Sequence, residues 1–225
     1  MRLGLIKTGA SAEYDDEFME AMASEYERMT PWTRMRLENV RLLVDPQPGD
    51  RVLDVGSAAG AIVHYLSTFG CDPVGVDLSE LGVQKAHERF PGLRFEVGDA
   101  ARLPFEDASF DKVVAADVTE HLDDATLRGM LAESQRVLVP GGTLSIHTPN
   151  PKHVIERMKA HDFLLKQNPT HIGLRTGREL RDELERAGFT IELDLKRPSF
   201  YPGLHTLDRL TGSSYRICLR ARSAR

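Results

Sequence analysis

Cysteine is nearly missing from this 225-residue chain: Cys71 and Cys218 are its only two, and they stand far apart. Neither a disulfide framework nor a thiolate metal cluster can be assembled from such a pair. The three-cysteine motif of a radical iron–sulfur enzyme is excluded on the same count. Long apolar runs are missing as well, and no stretch approaches the roughly 18–20 apolar residues of a membrane span. The opening Met1-Arg2-Leu3-Gly4-Leu5-Ile6-Lys7 is too short for a secretory leader and ends at a charge, so the expected location is cytoplasmic. Nor is there a basic excess. A formal net charge of −5 offers no general attraction to phosphate backbones, which argues against an enzyme of nucleic-acid duplexes. With no repeat, no low-complexity tract and no long linker, residues 1–225 read as a single domain.

What is present is an ordinary globular composition, 41% apolar and 28% charged. Residues 13–44 look helical, an N-terminal extension over about 1–45. Phe18, Met22, Tyr26 and Met29 recur along its first part, and a second helix runs from about Thr33 to Val44. After the turn at Asp45–Asp50, short apolar runs alternate with helical stretches. Strands are expected at Arg51–Val55, Pro73–Asp77, Arg94–Val97, Asp111–Ala116 and Thr143–His147. Helices are expected at about Gly60–Phe69, Ser79–Arg89, Asp124–Leu138 and Gly177–Ala187. This alternation implies right-handed crossovers and a mostly parallel sheet. Two late runs, Thr190–Lys196 and Ser214–Arg220, can pair as an antiparallel hairpin across a long excursion.

The first strand leads into Asp54-Val55-Gly56-Ser57-Ala58-Ala59-Gly60. Open parallel sheets bind ligands beyond the carboxyl ends of their strands, and glycines let the backbone turn sharply there. A dinucleotide fingerprint places its middle glycine where this chain has Ala58, so a ligand without a pyrophosphate is favoured. Asp77, 21 positions after Gly56, ends the next strand and can accept hydrogen bonds from both hydroxyls of a ribose. Gly98-Asp99-Ala100 closes the third strand, where a carboxylate can meet an adenine amino group, and Asp117 closes the fourth. A nicotinamide-dependent reductase is the rival within the fold. Ala58 counts against it, as does the lack of a Tyr-x-x-x-Lys pair.

Leu53–Gly60, Gly75-Val76-Asp77, Gly98-Asp99-Ala100, Leu103-Pro104-Phe105, Phe110-Asp111 and Arg136–Gly142 together resemble class I S-adenosylmethionine-dependent methyltransferases. The pattern is nearest to the small-molecule branch that includes quinone O-methyltransferases, and it covers about residues 13–192. The resemblance implies a Rossmann-like, doubly wound α/β fold: seven strands, mostly parallel, with the last one antiparallel. It implies a cofactor set of Asp54, Gly56, Ser57, Ala58, Gly60, Asp77, Leu78, Asp99, Ala100 and Asp117. Asp54 and Gly56 would lie near the methionine moiety, Asp77 at the ribose, and Asp99 with Ala100 at the adenine.

Methyl transfer to a hydroxyl is helped by a general base, and Asp117-Val118-Thr119-Glu120-His121-Leu122 lies where such a base belongs. His121 is the candidate catalytic residue. If a helical turn begins here, Asp117, Glu120 and His121 share a face, and His171 can approach from a later loop. Two carboxylates and two imidazoles can hold a divalent ion, with manganese, iron or zinc favoured over magnesium by the nitrogen ligands. Metal-dependent relatives carry a similar acidic-x-x-Glu-His stretch and a later histidine, although their first acid is Glu. The alternative is a metal-free site in which His121 is a base or simply packs. Tyr14, Tyr26 and Trp32 can cap the cofactor or serve as core. His147, His153 and His161 read as structural, and Arg175, Arg178 and Arg181 as a solvated helix face.

The acceptor is less legible. No Asp/Asn-Pro-Pro-Tyr/Phe stretch follows the fourth strand, which disfavours exocyclic amines of nucleobases, and neither cysteine follows a proline. The segment over about 150–176 occupies the place of an acceptor-side insertion and mixes apolar with basic residues. O-methylation of a small molecule is the leading expectation. An RNA 2′-O-methyltransferase and a catalytically inactive nucleoside-binding module are the alternatives.

Overall fold

The structure, a computed structural model, describes residues 28–161, 168–197, 204–211 and 214–225. The helix expected before Arg28, with Tyr14, Phe18, Met22 and Tyr26, lies outside the described residues.

Thr30 begins the first described helix by accepting the Thr33 N–H, and Pro31 fills the first helical position, where its missing donor costs nothing. This helix, α1 (Pro31–Val44), buries Thr33, Arg36, Leu37, Asn39, Val40 and Leu43 on one side. Next come β1 (Arg51–Val55), α2 (Ala61–Ser67), β2 (Asp72–Asp77), α3 (Glu80–Arg89), β3 (Arg94–Val97) and β4 (Phe110–Ala116). A short 3-10 turn (Thr119–His121) precedes α4 (Asp124–Val137), and β5 (Leu138–Pro149) follows. The chain continues with α5 (Val154–Ala160), α6 (Gly177–Arg186), β6 (Phe189–Asp194), α7 (Leu204–Thr211) and β7 (Arg216–Ser223). Ser79 and Asp123 cap α3 and α4 through their side chains, and a reciprocal Thr176–Glu179 capping box starts α6.

The seven strands form one sheet in the order β3-β2-β1-β4-β5-β7-β6. Strands β1 to β5 pair in parallel. β7 pairs antiparallel with both β5 and β6, so it alone runs against the rest. Alternating residues of the central strands feed two cores. Leu53, Val113, Ala115, Leu144 and Leu219 meet α4 and α6 on one face. Val52, Val114 and Ala116 meet α1 and α2 on the other. Helices on both faces are what buries a parallel sheet.

Two differences from the sequence reading have physical causes. β5 begins at Leu138, ahead of the expected Thr143, because the Pro140-Gly141-Gly142 stretch is carried as an irregularity within the strand. The helices α5 and α7 were not anticipated: each has only a turn or two of apolar positions, within segments whose composition reads as loop.

Leu131 of α4 is fully buried in the larger core. Leu131→Ala should destabilise the chain by about 2–5 kcal/mol through lost transfer energy and the cavity left behind. A denaturation midpoint followed by circular dichroism measures this, and an unchanged midpoint would contradict the packing described.

Candidate active site

The strand order reverses between β1 and β4, which opens a crevice at the carboxyl edge of the sheet. The loop after β1 lines it. Gly56, Ala58 and Gly60 all adopt the left-handed conformation, at φ +75°, +44° and +82°. A Cβ on Gly56 would lie 2.3 Å from Val118 Cγ2, so the loop can lie against the end of β4 only as glycine. Ala58 holds that conformation without glycine's freedom, at a cost of about 1–2 kcal/mol, and its N–H donates to Asp77 Oδ2 at 2.8 Å. The other Asp77 oxygen accepts the Ser79 N–H at 2.8 Å. Asp77 therefore fixes the glycine loop and keeps a free lone pair on each oxygen. Burial raises its pKa against the lowering effect of those two N–H groups.

Asp54 is buried on β1, and neither of its carboxylate oxygens has a hydrogen-bond partner. Burial pushes its pKa up to about 8, with Arg36 pulling in the opposite direction. Ser57 Oγ is likewise buried and unpartnered. Such groups are costly unless a ligand satisfies them, and a cationic sulfonium or ammonium suits Asp54. Leu78 is 58% exposed beside Asp77. Ala100 is half-buried and Asp99 is exposed, its Oδ1 accepting the Ala101 N–H at 2.8 Å. These positions leave one apolar and one polar edge for a base.

Asp117 does not join the expected metal group. It sits at φ +60° at the end of β4, and its carboxylate is gripped by Arg36 Nε at 2.5 Å and Arg216 Nη1 at 3.0 Å, with His147 Nδ1 3.4 Å away. Burial alone would raise its pKa, yet Arg216, Arg36 and His147 hold it well below the usual range. The turn after it is 3-10 and starts at Thr119, so Asp117 is not in helical phase with Glu120 and His121.

The other three predicted ligands do come together. Ligand atoms of Glu120, His121 and His171 all lie within 4.8 Å of one another. Glu120 accepts the Thr148 hydroxyl at 2.9 Å, and burial together with the Asp117 charge raises its pKa. His121 Nδ1 lies 3.2 Å from the Thr170 carbonyl, which makes Nδ1 the donor and leaves Nε2 as the basic nitrogen. Burial lowers the pKa of His121, and burial with the adjacent His121 pushes His171 down to about 4. Both rings are therefore neutral at physiological pH. His171 is delivered by a loop that presses on the 3-10 turn, where a Cβ on Gly173 would stand 2.0 Å from the Leu122 carbonyl oxygen.

Arg175 corrects the reading of a solvated basic face. It precedes α6 and stitches the turn through the Thr119 and Leu122 carbonyls, both at 3.0 Å, and Asp124 at 2.7 Å. Arg181 pairs with Asp194, and Arg178 alone of the three is exposed. His147 is fully buried, and His153 is bonded to Asp208 at 2.9 Å, as structural histidines would be. Arg36, Asn39 and Arg216 were missed. Thr33, Arg36 and Asn39 recur at helical spacing within the apolar stripe of α1, and a polar group at an inward position is the signal that was available.

An open sheet in this strand order, with a glycine elbow and acids at its strand ends, defines a Rossmann-like nucleoside-binding architecture. Residues 52–142 match the family model described as a methyltransferase domain. A 24-methylenesterol C-methyltransferase 2 of Oryza sativa subsp. japonica is 34% identical over 190 residues, covering 76% of this chain and 50% of that protein. An O-methyltransferase of Aspergillus sclerotiorum is 30% identical over 191 residues, covering 79% of this chain and 66% of that protein. A crystal structure from Pyrococcus horikoshii OT3 has the same fold, with a TM-score of 0.70 at 19% identity, covering 93% of this chain and 99% of that one. The chain is thus similar to S-adenosylmethionine-dependent methyltransferases in sequence and has their fold. It spans about half the length of the sterol methyltransferase it matches. No helix among the described residues is long and apolar enough to cross a membrane.

Asp77→Asn should turn an amide N–H toward one of the two backbone donors it now accepts. S-adenosylhomocysteine affinity is expected to fall roughly tenfold or more, since hydrogen bonds to charged groups contribute about 1.5–3 kcal/mol; titration calorimetry measures it. Asp54 yields a pH test. Its native pKa lies above the unfolded value, so between about pH 4 and 8 the folded state binds more protons and loses stability as pH rises. The stability of the wild type relative to Asp54→Asn should therefore decline across that window in denaturant titrations. A pH-independent difference would contradict the burial of an unpartnered carboxyl.

Proposed function

We propose that this chain transfers the methyl group of S-adenosylmethionine to a hydroxyl oxygen of a small-molecule acceptor, assisted by a divalent ion at Glu120, His121 and His171. The observation that carries the cofactor half is Asp54, a buried carboxyl with both oxygens unpartnered beside the glycine elbow. The cofactor supplies an electrophilic methyl on a sulfonium. The chain's part is to hold, orient and deprotonate. Asp77 and the loop it pins would take the ribose, Leu78, Asp99 and Ala100 the adenine, and Asp54 the positively charged end.

On the acceptor side, the neutral His121 presents Nε2, its tautomer set by the Thr170 carbonyl; that single lone pair coordinates the ion when one is held, and takes the proton of an acceptor hydroxyl in a metal-free site. Glu120 and His171 stand beside it. Two nitrogens and one carboxylate oxygen suit manganese, iron or zinc, and such an ion would lower the pKa of a bound hydroxyl. The sterol C-methyltransferase and the O-methyltransferase among the relatives both support a small acceptor.

The test is turnover of labelled cofactor with a panel of phenols, sugars and small hydroxy acids, with product analysis distinguishing oxygen from carbon methylation. His121→Ala should slow transfer by about 10²–10⁴-fold while leaving S-adenosylhomocysteine affinity intact. Exhaustive chelation should lower the wild-type rate, and activity unchanged by chelation would remove the ion from the reading. Cofactor binding with no transfer to any acceptor would leave a nucleoside-binding module, and salt-sensitive RNA retention would point to an RNA 2′-O-methyltransferase.

A further inference from the structure

Methyl transfer as described leaves Arg216 without a task. It opens β7 opposite Pro149 of β5, at the carboxyl edge of the sheet, and only 6% of it is exposed. Nη1 donates to Asp117 Oδ1 at 3.0 Å, while Nε is buried with no hydrogen-bond partner. The guanidinium lies 5.0 Å from the Tyr215 ring and 5.7 Å from Trp32, and Arg36 faces the same Trp32 ring at 5.7 Å. Glu120 and His171, both in the candidate transfer site, lie within its electrostatic reach.

Two features of this arrangement point to a ligand. A buried guanidinium with an unmatched N–H is costly, and the edge formed by Nε and Nη2 is one that two oxygens of a carboxylate grip side by side. Arg36 and Arg216 both pair with the one carboxylate of Asp117.

We propose that Arg216 is a specificity-determining residue that binds a carboxylate of the methyl acceptor, so that the substrates are small organic acids whose nucleophile is presented toward His121. The aromatic faces of Trp32 and Tyr215 would flank the bound acid. The proposal rests on the methyltransferase reading, and the carboxylate of the cofactor itself is the competing occupant.

Trp32 is the only tryptophan in the chain, so its fluorescence reports directly on this pocket. With S-adenosylhomocysteine saturating, the wild type is titrated with benzoate, 4-hydroxybenzoate and octanoate, and with the amide of each. At least one carboxylate should bind about tenfold or more tightly than its amide. Arg216→Gln should abolish that preference, with any fall in S-adenosylhomocysteine affinity smaller than the loss of acid binding. Arg216→Lys keeps the charge without the fork, and should lose most of the preference; it carries the comparison if Arg216→Gln does not fold. The proposal is overturned if no carboxylate is preferred over its amide, if Arg216→Lys retains the full preference, or if the variants lose S-adenosylhomocysteine in step with the acids. In that last case Arg216 serves the cofactor. Failure of the wild type to bind S-adenosylhomocysteine would sink the methyltransferase reading itself.

Discussion

Two guanidiniums from opposite parts of the chain close on one carboxylate, and the cleft depends on that contact. Arg36 comes from α1, Asp117 from the end of β4 and Arg216 from the start of β7. Removing three charged groups from water is expensive, and removing a single partner from such a set is more so. Arg36 is also committed to the Ala116 carbonyl at 2.9 Å, so α1 is tied to β4 by backbone as well as by charge. The helix that closes one face of the sheet is thus positioned by the same residues that shape the crevice.

Asp117 explains how the site splits into two halves. Asp117 is left-handed with its carboxylate engaged by the arginines, and the 3-10 turn that carries Glu120 and His121 begins only at Thr119. On one side lie Asp54, buried and without hydrogen-bond partners, the glycine elbow, and the half-buried Asp77 that pins it. On the other lie Glu120, His121 and His171, each oriented by a hydroxyl, a carbonyl or a close-packed loop. In the proposed reaction the donor and acceptor of an in-line displacement would lie on these two sides.

Much of the fold was legible in the sequence because its signals are local. Strands β1 to β4 and helices α3, α4 and α6 were bounded to within a residue or two by short apolar runs alternating with helical stretches. The residues proposed for the cofactor were expected at consecutive strand ends on the same local signals, and that is where they lie. Asp117 was assigned to the ion from its spacing with Glu120 and His121, a reading that assumed a helical turn. What overruled it were Arg36 and Arg216, which lie 81 positions before it and 99 after it and leave no local trace. Arg175 shows the same limit: its neighbours in sequence suggest a solvated face, and its partners at Thr119, Leu122 and Asp124 exist only in three dimensions.

The place of β7 has a consequence for how the chain is built. It is the last of the seven strands to leave the ribosome, yet it lies inside the sheet, between β5 and β6. β6 has no strand to pair with until β7 emerges, so β1 to β5 can assemble during synthesis while the far edge waits. β5 then presents an unpaired edge for a time, the kind of surface on which nascent chains aggregate. The strand that seals that edge also delivers Arg216, which makes completion of the cleft the closing event of folding rather than an early one.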